Sequence, residues 1–135
     1  MLETGTLQVW AQNVIGEQIG EAADALACYC GDPRSAKKLH RARKGLARLR
    51  AALQDLGTVA GATPEFLERI HELHRRAGKV RDADVLIERV DEYRSNASRE
   101  EREELDLLRA ALRKRRKRAR RKLERAVREL PELRA

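Results

Sequence analysis

Two short segments hold most of the chain's capacity for chemistry. Residues 37–50 carry seven Lys and Arg together with His40, and residues 109–122 carry ten, with no acid in either. The whole chain has 30 basic and 22 acidic residues, a net charge of +8, so outside these segments acids outnumber bases. Concentrated positive charge of this kind points to a polyanionic partner. Arginine suits phosphate in particular, because its planar fork donates two parallel hydrogen bonds.

Helical spacing gives both rows a direction. On a helix through residues 33–56, His40, Arg43 and Arg50 line up beside the apolar edge formed by Leu39, Ala42, Leu46, Leu49, Leu53 and Leu56. On a helix through residues 99–130, Arg109, Arg113, Arg116 and Arg120 flank the apolar stripe of Leu105, Leu108, Leu112, Ala119, Leu123, Ala126 and Leu130, the four arginines spanning about 16 Å. Cations at one-turn intervals fit an extended chain of repeating anions. If the two helices pack together, the rows face each other across a groove, and that repulsion favours an anion lying between them. The other bases of the second run, including Lys114, Arg115, Arg118, Arg121 and Lys122, point elsewhere.

Other chemistries have weaker support. Cys28 and Cys30 form a lone C-x-C without further ligands at zinc spacing, so free reduced thiols are expected and no metal site. His71 and His74, beside Glu68 and Glu72, read as surface residues. Asp82 and Asp84 read as helix-start carboxylates rather than an acid–base pair, so no catalytic residue and no cofactor is expected.

The elements that position these residues are helical. The 135-residue length allows one domain, 1–135, with 41% hydrophobic and 3% aromatic residues. Leu and Ala dominate the apolar set, which disfavours a sheet. Thr6 reads as the N-cap of a first helix, with Leu7, Trp10, Val14, Ile15, Ile19 and Leu26 inward. Asp32 and Pro33 read as the N-cap and first residue of a second. Thr63-Pro64-Glu65 starts a third, which Gly78 closes, and Asp82 caps a short fourth. Ser98 to Glu101 has capping-box spacing and opens the last helix, which Pro131 ends. The expected fold is all-α, an antiparallel bundle of about four to five helices. No stretch is apolar enough to cross a membrane, and MLETGTLQVW does not have the pattern of a secretory signal.

Two motifs resemble the CHAD family of α-helical, histidine-named domains. LHRARKGLARLRAAL supplies His40, Arg43, Arg48, Leu49 and Arg50 of its opening signature. Gly78, Arg81, Asp82, Asp84 and Val85 match its G-x-x-R-D-x-D-V. The resemblance implies non-catalytic binding of inorganic polyphosphate, with His40, Arg43 and Arg50 on phosphates and Arg81 projecting from the 78–82 turn. Ala47 stands where the family commonly has a base, and Lys44 or Arg48 covers that gap. Family members generally contain two related halves and this chain resembles one, so a homodimer rebuilding the pair is the implied assembly. A cytoplasmic location, at polyphosphate granules for example, follows from the same resemblance. The principal alternative is non-specific nucleic-acid binding through RKRRKRARRK. Against it, Trp10, Tyr29, Phe66 and Tyr93 lie outside the basic runs, and single-stranded nucleic acids stack on aromatic platforms. A helical scaffold docking an acidic protein is a third reading.

Overall fold

The computed structural model describes residues 4–133; residues 1–3 and 134–135, including the start of MLETGTLQVW, lie outside it. Four helices follow one another: α1 (Thr4–Gly31), α2 (Ala36–Ala60), α3 (Pro64–Ser95) and α4 (Arg99–Arg128), then a 3-10 turn at Pro131–Leu133. The fold is an all-α bundle.

Each start follows from local chemistry. Thr63 Oγ1 accepts from Phe66 N at 3.2 Å and Pro64 needs no amide partner, which sets the beginning of α3. Ser98 Oγ accepts from Glu101 N, which caps α4, and the Glu101 carboxylate reaches back to accept from the Ser98 hydroxyl rather than from its backbone N–H. Gly61 closes α2 at φ 80°, a conformation that favours glycine. Two expected starts are displaced. Thr6 lies inside α1, and α2 is capped by Ser35, whose Oγ accepts from Lys38 N, while Asp32 pairs with Lys38 at 3.2 Å.

Gly78 does not end a helix. The chain passes through it and through Asp82, merging the two short segments expected there into the 32-residue α3. Ala77 and Val80 are fully buried and Ala83 nearly so, and the burial of this face outweighs the ~1 kcal/mol that glycine costs in a helix.

The helices pack in chain order, α1 on α2, α2 on α3 and α3 on α4, and the 3-10 turn folds back onto α1. Leu26, Leu39, Leu46, Leu49, Ile70, Leu73 and Leu123 fill the centre. Gly45 lets α1 approach closely: a Cβ there would lie 3.2 Å from the Ala22 Cα. Trp10, by contrast, is 52% exposed, and Leu7 and Val9 beside it are also exposed, so the first turns of α1 do not contribute the core residues expected of them.

The second hairpin is taller than the first. Arg116 bonds both Asp84 and the Pro33 carbonyl, which places the α1–α2 turn level with those two positions. Beyond that level α3 and α4 continue together for about 16 Å, enclosing Val90 and Leu112 outside the main core.

Candidate anion-binding cleft

Three Arg–Asp pairs hold this hairpin together: Arg94 with Asp106 at 2.7 Å, Arg109 with Asp91 at 2.6 Å, and Arg116 with Asp84. The residue numbers of each pair add to 200, the constant that an antiparallel register requires. Hydrogen bonding from Arg109 and from Arg94 holds the Asp91 and Asp106 carboxyls below the usual carboxylate range. Each pair leaves the helix surface polar but neutral at that point.

Beside the Asp84–Arg116 pair lies a cleft of about 760 Å³, lined by Arg34, Asp84, Ile87, Arg109, Arg113, Arg116, Lys117 and Arg120. It holds six cations and one carboxylate. Arg109 and Arg116 are clamped by aspartates, and Arg120 Nε lies 3.7 Å from Glu124. Arg34, Arg113 and Lys117 make no hydrogen bond or ion pair among the described residues. The site therefore consists of a fixed frame and three uncommitted donors.

Behind it Tyr29 is fully buried, and its hydroxyl has no hydrogen-bond partner among the described residues. Burial pushes its pKa up to about 12, with Asp84 adding to the rise and Arg116 and Arg120 opposing it. The phenol thus stays protonated at the back of the cleft.

Of the ten residues singled out in the sequence, four meet here: Arg109, Arg113, Arg116 and Arg120. The α2 residues stand elsewhere. α2 and α4 are not a packed pair, so their basic rows do not face each other across a shared groove. Arg43 and Arg50 neighbour His74 of α3; burial first, and then these two guanidiniums and His71, depress the His74 pKa. His40 is exposed. Lys44 and Arg48 line the groove between α1 and α2, opposite Glu21 and Asp24. Arg81 rises from continuous helix, not from a turn, and donates to Glu88 at 3.4 Å.

Two cleft residues escaped the sequence reading. Arg34 stands alone after Pro33, outside both basic runs, and the Arg116–Pro33 bond of the folded chain sets it beside α4. Lys117 sits within the second run, one residue from Arg116, and is distinguished only by its position at the cleft edge.

The family model of the CHAD domain matches residues 14–134. The chain belongs to the CHAD domain family. No curated protein and no solved structure matches the chain. Both motifs that carried the resemblance fall within the matched CHAD segment, one on α2 and one on the middle of α3. Among the described residues no group of His, Cys, Asp and Glu could hold a metal ion, and no helix is long and apolar enough to cross a membrane.

Proposed function

We propose that this CHAD domain binds inorganic polyphosphate without catalysis, and that the cleft beside α4 is its principal contact. The observation that carries the reading is the trio Arg34, Arg113 and Lys117, uncommitted cations set against arginines already fixed by carboxylates. Fixed guanidiniums cost little further ordering on binding, and free ones supply the new hydrogen bonds. Each internal phosphate carries a charge at neutral pH, so binding is driven by counterion release and weakens with salt.

His40, Arg43 and Arg50, with Lys44, Arg48 and Arg81, belong to this reading as further contacts for a chain long enough to leave the cleft. They present charge on other faces of the same bundle. One copy suffices for the cleft, and a homodimer would add a second cleft rather than complete the first. The cytoplasm, where polyphosphate is stored in granules, is the location this reading entails.

Nucleic acid is the second reading. No aromatic residue lines the cleft to stack a base, which favours the inorganic polymer. Competition at equal phosphate concentration tests the choice: long-chain polyphosphate should displace DNA, and the reverse order would favour nucleic acid. Replacing Arg34, Arg113 and Lys117 together by Ala should abolish most of the polyphosphate affinity; unchanged affinity removes the cleft from the account.

A further inference from the structure

The opposite face of the α3–α4 hairpin has a charge order that is complementary to itself. Along α4, Glu104, Leu108, Ala111, Arg115, Arg118 and Lys122 recur at alternating four- and three-residue steps, which keeps them on one stripe, and all six are exposed. The stripe reads acidic, apolar, basic. Its basic end shares a groove with Arg75 and Lys79 of α3, where Asp82 is the one acid. Its apolar middle continues onto α3 through Tyr93, 64% exposed, and Leu86, 40% exposed, and Leu107 beside it is 75% exposed.

We propose that a second copy of this chain docks here, its α4 antiparallel to the first. A two-fold axis between Leu108 and Ala111 sets Glu104 against the other copy's Arg115, Glu101 against its Arg118, and Leu108 against its Ala111. Each copy supplies both members of every pair, as an isologous interface requires. The acidic end of one helix thereby neutralises the basic groove of the other, while the exposed leucines and Tyr93 leave water. The face runs about 32 Å along α4 and is two helices wide, on the order of 600 Å² per partner, at the low end of a stable interface. The anion cleft lies on the other side of the hairpin and stays open, so this assembly does not depend on what the cleft binds.

The test is the mass of the full chain by sedimentation equilibrium across the micromolar range, after a high-salt wash to strip bound polyanions. A dimer is expected. Glu104→Arg and Arg115→Glu each place like charges together at two symmetric points and should weaken it about tenfold. The double swap should restore it, because these residues are three turns apart in one chain and meet only between chains. Leu108→Glu, at an exposed position, should also leave a folded monomer, with helicity checked by circular dichroism. A chain that remains monomeric, a dimer indifferent to the swaps, or single-swap losses that the double swap does not repair would each overturn the proposal. So would a dimer that forms only with added polyphosphate, since the anion would then be the bridge.

Discussion

Arg116 donates from Nε to the Asp84 carboxylate and from Nη2 to the Pro33 carbonyl at 2.6 Å, so one guanidinium fastens α4 to α3 and to the α1–α2 turn. Both side chains of the ion pair are largely buried. Removing one partner of such a pair strands the other charge. Arg116→Ala should therefore cost about 2–3 kcal/mol in urea unfolding. Arg113→Ala, at an exposed uncommitted residue, should change stability by less than about 0.5 kcal/mol while weakening polyphosphate binding. The contrast separates frame from contact.

Salt dependence counts the contacts. A linear polyanion that engages Arg34, Arg113 and Lys117 releases counterions at each. Replacing all three by Ala should reduce the slope of log K against log salt by about 2, read from fluorescence-anisotropy titrations with labelled polyphosphate. Substituting Lys37, an exposed residue of α2 outside the cleft, should leave a slope close to that of the parent chain.

His74 makes stability depend on pH. Its folded pKa is depressed, by burial first and then by Arg43, Arg50 and His71, so the folded state binds fewer protons there than the unfolded one. Its contribution is present above the unfolded value of about 6.5 and is lost as pH falls through the lower folded value. Urea midpoints should fall between about pH 7 and 5, and His74→Gln should flatten that part of the curve. The depressed carboxyls of Asp91 and Asp106 act in the same direction, but only in more acid solution.

Two glycines should respond oppositely to alanine. Gly78 has open space where a Cβ would go, in the middle of α3, so Gly78→Ala should stabilise by about 0.5–1 kcal/mol. Gly45→Ala drives a methyl toward the Ala22 backbone at 3.2 Å and should destabilise by about 1 kcal/mol. Thermal melts of the two variants check both signs.

The apolar stripe of α2 was legible because alternating three- and four-residue spacing survives in sequence, and so were the Thr63 and Ser98 caps; on α4 the same spacing also placed Leu108 inward, where it is 48% exposed on the open flank of the helix. The continuity of α3 was not, since Gly78 and Asp82 are local break signals that only burial of Ala77, Val80 and Ala83 overrides. The cleft was half legible. Periodicity lined up Arg109, Arg113, Arg116 and Arg120, but which face of α2 they would meet depends on the order in which helices pack. That order set α2 against α1 and α3 and brought the isolated Arg34 to α4 instead. Pairing with aspartate was equally invisible, because Asp84 and Asp91 lie far from their arginines in the chain and come together through a register that only the folded hairpin defines.

The solvent exposure of Trp10 has a practical consequence, because it is the chain's single tryptophan. About half of the residue already faces water in the native state, so intrinsic emission should shift less as the bundle comes apart than it would for a buried indole. Loss of helical ellipticity is the better probe of unfolding for this protein, and a small fluorescence change would report the placement of one ring, not resistance to denaturant.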